Sequence, residues 1–276
     1  MRCIKLSLSR FGLSVVKSCI DSKGFIYVVL PGGLRMRLCK AIPYIGSYCT
    51  VCAHPLATGD CRAHNSELEF LDRTIAVGLY YTSDVRAELA VRGIALGNAL
   101  TYHILELKNR IAAAPVLGAA MALVMRERLF DVGPEDVDVV TYVPKDPSEY
   151  KVDIETGERY NQAELLAIIV SRATGKPLRQ LVTKTRPLTL SGLSMHERYV
   201  RAKEAYRVLE DVKSEVKGLR VLLVDDVRTS GATGNAIAEK LKSAGASRVY
   251  LLVAGRATFK PQFMEFIEQR RGSPKS

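Results

Sequence analysis

An α/β fold, with a parallel sheet flanked by helices and a small β-rich module ahead of it, is what this sequence predicts, and three observations point there. Beyond Gly133, apolar strand-like runs alternate with helical stretches of roughly 10 to 15 residues, the pattern of βαβ units. Near the start, two β-rich runs flank a Pro-Gly-Gly turn. The 276 residues are 47% hydrophobic and 25% charged, enough to bury a core in one large domain or two small ones. We expect residues 1–66 to form the β-rich module and residues 67–276 the α/β domain.

Residues 2–9 (RCIKLSLS) and 24–30 (GFIYVVL) are rich in β-formers, and Pro31-Gly32-Gly33 separates the second from LRMRLCKAI at 34–42, which suggests a hairpin or small sheet. Residues 83–108 carry Leu89, Ile94, Leu96, Leu100, Ile104 and Leu107 without a proline and read as one long amphipathic helix. The uncharged run from Ile111 to Met125 falls short of the ~20 apolar residues that cross a bilayer, so it reads as a buried helix with Pro115 in its first turn. Then follow a strand Val137–Val143 ending at Pro144, a helix Asn161–Thr174 closed by Gly175, and a strand Arg220–Val224. A helix Thr233–Ser243 before Gly245 and a strand Arg248–Ala254 complete the alternation.

Lys and Arg number 40 against 29 Asp and Glu, a net charge of +11. Residues 1–66 hold nine of the bases and only Asp21 and Asp60 as acids, so a solvated basic face or a surface for polyanions is expected there. Asn and Gln together number only nine against 24 Arg, a bias of the kind seen in thermophiles. The opening MRCIKLSLSRFGLS lacks the apolar block of a signal peptide, and a cytoplasmic location is expected.

In sheets of this kind ligands bind beyond the C-terminal strand ends. One such end is VLLVDDVRTSGATG, residues 221–234. A buried strand leads to Asp225 and Asp226, then a small-residue loop, Thr229 to Thr233, opens a helix. Backbone N–H groups at a helix N-terminus, with the hydroxyls of Thr229, Ser230 and Thr233, suit a phosphate, and Gly231 lets the backbone approach it. Paired carboxylates cannot bind phosphate but can accept hydrogen bonds from sugar hydroxyls. Phosphate plus ribose is the ligand described; the plain alternative is an ordinary βα loop with two capping acids. No GxxxxGK[ST] and no GxGxxG follows a strand, which argues against an ATPase or a dinucleotide dehydrogenase.

Six cysteines occur, and three fall in CTVCAHPLATGDCRAH. Cys49, Cys52, Cys61 and His64 in that stretch have the ligand types and paired spacing of a closed structural Zn²⁺ site. The alternative is a loop of reduced or disulfide-bonded thiols. His54 is a spare ligand, and Cys3, Cys19 and Cys39 read as core residues. His103 and His196 read as structural or surface groups.

VLLVDDVRTSGATG resembles the phosphoribosyl pyrophosphate (PRPP) signature of type I phosphoribosyltransferases. LELKNR at 105–110, VTYVPK at 140–145, RYNQAELLA at 159–167 and HERYVRAKEAYRV at 196–208 resemble segments of its ComF-like (amidophosphoribosyltransferase-like) branch. The resemblance runs from about residue 49 to about 256 and includes a zinc module, with His64 in place of a last Cys. It implies a phosphoribosyltransferase-like sheet and a Mg²⁺-dependent displacement of pyrophosphate from C1 of PRPP by a nitrogen nucleophile, such as a nucleobase. By resemblance, Asp225 and Asp226 contact the ribose, and Thr229, Ser230, Gly231, Ala232 and Thr233 hold the 5′-phosphate. Lys145 falls at the pyrophosphate loop, and Arg159, Lys184, Arg186 and Arg198 lie in or near segments that bring cations to the leaving group. The catalytic set is thus Asp225, Asp226 and Lys145, with general-base and purely positional roles both open for the acids. Arg228, Tyr160 and Val200 depart from the family pattern.

The resemblance leaves a second class, a single-stranded nucleic-acid-binding protein that uses PRPP as a regulatory ligand, although aromatics in residues 1–66 are limited to Phe11, Phe25, Tyr27, Tyr44 and Tyr48. A third is a regulator that senses purine supply. A homodimer is common in the family. The acceptor would be chosen by a hood supplied by residues 67–82 or 255–270.

Overall fold

The computed structural model describes residues 1–8, 13–57, 61–64, 66–94, 99–190 and 192–272. Phe11, part of the aromatic count above, lies outside them. Strands β1 (Arg2–Leu8), β2 (Leu13–Ile20), β3 (Phe25–Val29) and β4 (Arg35–Lys40) form an antiparallel meander with Ile4, Leu6, Val16, Ile26 and Val28 on its buried face. The Pro-Gly-Gly turn joins β3 to β4 as expected. The β1–β2 register sets Cys3 against Cys19, and the two form a disulfide; only Cys19 is buried, so Cys3 is not the core residue the sequence suggested.

The second sheet is parallel, in the order β5 (Arg73–Tyr80), β12 (Arg248–Ala257), β11 (Arg220–Arg228), β6 (Val139–Tyr142). Two-stranded ribbons are formed by β7 (Lys151–Val152) with β8 (Arg159–Tyr160), and by β9 (Val182–Lys184) with β10 (Tyr206–Val208). Helix α3 (Ala114–Arg126) packs against β1, β2 and β3 on one side and β5 and β12 on the other. Every residue from Ala114 to Met125 is buried. A helix apolar all round belongs in an interior, which is why its sequence shows no polar stripe. Both sheets therefore share one continuous core.

The long helix expected over 83–108 is two helices, α1 (Ser83–Val91) and α2 (Ala99–Glu106). Gly93, at φ 64°, turns the chain out of the first; residues 95–98 lie outside the described residues. Helices α4 (Gln162–Thr174), α5 (Met195–Ala205), α6 (Ala232–Ser243) and α7 (Lys260–Gly272) complete the fold. Asn161 caps α4 by accepting from the Ala163 N–H at 3.1 Å. No helix among the described residues is long and apolar enough to cross a membrane.

Candidate active site

Strands β11 and β12 are the two long strands at the centre of the parallel sheet, and the reach of β11 beyond β6 builds the site. Its pairing with β6 stops at Val224↔Tyr142, while its pairing with β12 continues through Asp225↔Val253 to Arg228↔Arg256. Asp225 and Asp226 therefore stand within the strand, past the edge of β6, rather than in the loop after it. Their carboxylates face the space that β6 leaves open. Among the described residues neither makes an ion pair. Asp225 Oδ1 accepts from the Asp226 N–H at 2.9 Å, and Asp226 Oδ1 from the Val227 N–H at 2.8 Å. Removal from water raises the Asp225 carboxyl well above the ordinary range, Asp226 beside it adds to the rise, and Lys145 opposes it.

Two pockets meet at this point, sharing Asp225 and Thr233. The first, about 80 Å³, is walled by Thr229, Ser230, Gly231, Ala232 and Thr233, with Leu190 and Arg198 opposite. Here α6 begins, and its first-turn N–H groups have no carbonyl of their own helix to bond. Gly231 sits at φ 83°, and a Cβ on it would lie 2.7 Å from the Arg228 guanidinium. Arg228 is buried beneath the turn, where it donates to Glu69 at 2.7 Å and to Thr74 Oγ1 at 2.5 Å. The residue that looked out of place in the motif is thus an internal cation under the loop, and its partner Glu69 carried no sequence signal.

The second pocket, about 290 Å³, is walled by Lys145, Lys151, Lys184, Glu149 and Tyr206 facing Asp225 and Asp226. Lys145 donates to Gln162 on α4, and the Asn161 amide donates to the Val143 carbonyl at 2.9 Å, so the start of α4 fixes the loop that carries this lysine. Lys184 pairs with Glu149, its Nζ 2.6 Å from Oε1. Tyr160, which departs from the family's Phe, is buried and donates to the Leu107 carbonyl at 2.7 Å, anchoring the β7–β8 ribbon.

Of the sequence-derived residues, Asp225, Asp226, Lys145 and Thr229 to Thr233 are brought together, and Lys184 and Arg198 join them from opposite sides. Arg159 donates to the Pro147 carbonyl, Arg186 pairs with Glu204, and neither lines these two pockets. Val200 is exposed on α5. Lys151 and Glu149 lie within six residues of Lys145, and Tyr206 within the 196–208 segment, but only the fold brings the three around Asp225 and Asp226.

A second cluster lies behind the turn. The ligand atoms of Cys49, Cys52, Cys61 and His64 all fall within 4.8 Å of one another. Cys49 Sγ is 3.8 Å from His64 Nδ1, and Cys52 Sγ is 3.5 Å from Cys61 Sγ. Tetrahedral zinc with sulfur at ~2.3 Å sets its ligand atoms about 3.5–3.8 Å apart, so this Cys₃His set is compatible with structural zinc. Hydrogen bonds from Cys49 and Cys61, then the charges of Arg256 and Arg228, drive the Cys52 thiol well below its ordinary range. His54 stands outside the set: it is buried, its Nδ1 is 2.8 Å from the Pro55 carbonyl, and burial lowers its pKa to about 4.

No model of a known protein family matches the chain. It is 32% identical over 124 residues to an amidophosphoribosyltransferase of Saccharomyces cerevisiae, covering 45% of this chain and 21% of that protein. It is 36% identical over 100 residues to competence protein F of Haemophilus influenzae, covering 36% of this chain and 43% of that one. The chain thus spans about a fifth of the amidophosphoribosyltransferase and under half of the competence protein. Among solved structures, a purine phosphoribosyltransferase from Pyrococcus horikoshii aligns at 17% identity and a TM-score of 0.29, over 50% of this chain and 80% of that one.

Proposed function

Taking the chain as a member of the type I phosphoribosyltransferase family in its ComF-like branch, we propose that it binds PRPP and displaces pyrophosphate from C1 by a nitrogen nucleophile. The observation that carries this reading is the shared wall of the two pockets. Asp225, which lines both pockets, stands between a helix N-terminus rich in hydroxyls and a pocket holding three lysines, with Asp226 beside it in the second. A 5′-phosphate fits the first, a pyrophosphate the second, and the ribose between them meets the carboxylates. Breaking the C1–O bond develops positive charge on the sugar and negative charge on the leaving group. Asp225 and Asp226 oppose the first, and Lys145, Lys151 and Lys184 oppose the second. The two carboxylates are hard oxygen donors that would hold Mg²⁺, which when bound supplies further positive charge to the pyrophosphate.

In the same reading Cys49, Cys52, Cys61 and His64 hold Zn²⁺ as a structural ion, and residues 1–66 act as a module beside the transferase part at 67–276. The test is a pyrophosphate-release screen with PRPP, Mg²⁺ and a panel of nucleobases and amines. Release with at least one acceptor is expected. PRPP binding without release across the panel would remove catalysis and leave PRPP as a ligand.

A second reading rests on the exposed side of β3 and β4. Arg35 lies 4.0 Å over the Tyr27 ring, Arg37 is 5.1 Å and Lys40 is 5.7 Å from the Phe25 ring. Interleaved rings and cations suit single-stranded nucleic acid. Binding of an oligonucleotide that weakens steeply with salt in the wild type, and is lost in Arg35→Ala with Arg37→Ala, is the expected outcome. No binding at low salt would remove this reading.

A further inference from the structure

Arg256 lies near the end of β12, and its side chain is among the largest fully buried groups of the protein. Its planar guanidinium is divided between the two clusters described above. On one edge, Nε donates to the Cys52 carbonyl at 2.7 Å, while Nη2 donates to the Ala63 carbonyl at 3.4 Å and lies 3.8 Å from Cys52 Sγ. On the other, Nη1 donates to the carbonyls of Arg228 and Thr229 at 3.1 and 2.8 Å, and to that of Ala257 at 2.9 Å. Arg228 and Thr229 lead the chain into the turn around the first pocket, and Cys52 and Ala63 belong to the Cys/His loop.

A guanidinium holds its donors in one rigid fork, so the two sets of carbonyls cannot shift independently without breaking hydrogen bonds in the interior. Charge leads to the same link. Among the described residues Arg256 makes no ion pair with a carboxylate, although a buried cation needs a counter-charge. Three thiolates and an imidazole around a divalent ion carry one net negative charge, and Cys52 places that charge against the fork. The metal cluster and the turn are two ends of one polar strut.

We propose that Arg256 is a positioning residue through which metal occupancy of the Cys₃His cluster sets the shape, and hence the affinity, of the 5′-phosphate turn. This rests on the PRPP reading above. Coupling between two sites is reciprocal: if the loaded cluster strengthens PRPP binding, PRPP strengthens zinc binding by the same factor, and couplings of this kind are about 5–150-fold.

The test uses the full zinc-loaded chain. Its zinc affinity is measured by competition with a chromophoric chelator, without addition, with saturating PRPP and Mg²⁺, and with ribose 5-phosphate. An increase of about fivefold or more with PRPP is expected, and ribose 5-phosphate, which occupies the same turn, should reproduce much of it. In Arg256→Lys, which keeps the charge and loses the fork, zinc should still bind but its affinity should no longer respond to PRPP. Cobalt substituted for zinc gives a second readout: its visible ligand-field bands should shift on PRPP addition in the wild type and stay unchanged in the variant.

Calorimetry on the same wild-type sample separates the failures. Zinc affinity unchanged by PRPP, in a chain that binds PRPP, overturns the coupling and leaves the functional reading intact. No PRPP binding by the zinc-loaded chain overturns both. A response in Arg256→Lys equal to the wild type's overturns the role of Arg256. Should Arg256→Lys fail to fold, Arg256→Gln, which keeps two N–H donors and loses the fork, takes its place under the same two outcomes.

Discussion

The two halves of the site are built in opposite ways. The proposed phosphate half is a single stretch, Thr229 to Thr233, in which the chain walls a pocket by itself as β11 turns into α6. The proposed cation half draws Lys145 and Lys151 from the connection after β6, Lys184 from β9 and Tyr206 from β10. A contiguous turn holds its shape through backbone geometry and through what lies beneath it, here Arg228 and Arg256. An assembled pocket holds its shape only through the loops that bring it together. Damage to the first should therefore be severe and local, and damage to the second graded.

The largest effect is expected at Gly231. Valine there would carry a side chain at φ 83° and 2.7 Å from the Arg228 guanidinium, a strain of about 3 kcal/mol. Affinity for ribose 5-phosphate should fall at least about 100-fold in Gly231→Val, with a clear drop in melting temperature. A variant that keeps ribose 5-phosphate affinity would show that the turn is not the phosphate site.

Lys145→Met and Lys184→Met should each weaken PRPP about tenfold, since a charge-assisted contact is worth about 1.5–3 kcal/mol. Ribose 5-phosphate affinity should stay within about twofold, because that ligand lacks the pyrophosphate. Equal losses for both ligands would erase the division between the halves.

A smaller effect concerns pH. The folded chain keeps a proton on Asp225 above the ordinary carboxyl pKa of about 3.9, where the unfolded chain has already lost it. In that window the folded state binds more protons, so stability without ligand should fall as pH rises toward the raised value. Asp225→Asn should flatten this slope and raise the melting temperature at neutral pH by a few degrees. A slope unchanged in the variant would show that another group is responsible.

The smallest effect is expected for Arg159→Ala. Arg159 lines neither pocket, so PRPP affinity should change less than about twofold, and a tenfold loss would mean that the β7–β8 ribbon closes over the leaving group.

The contrast also explains what the sequence revealed. The strand and helix alternation after Gly133 was legible because each element carries its own period. The turn from Thr229 to Thr233 was legible because every part of it is adjacent in the chain. The extent of β11 was not: Asp225 and Asp226 look like a loop, and only pairing with Val253 and its neighbours keeps them in the strand. Strand β5, RTIAVGLY, and strand β2, LSVVKSCI, are apolar β-branched runs, but their places in the sheets are set by partners distant in sequence or across a turn. Without β2 there was no register to set Cys3 against Cys19. Arg256 ends an apolar strand and looks like any strand-terminal cation, and its role rests on carbonyls from residues 27 to 204 positions away.

Calorimetric titration with PRPP and Mg²⁺ tests most directly the proposal that the paired aspartates grip the sugar of PRPP. The wild type should bind PRPP, and Asp225→Asn combined with Asp226→Asn should lose at least about tenfold in affinity while remaining folded. Equal affinity in the two proteins, or no binding to the wild type at millimolar ligand, would contradict it.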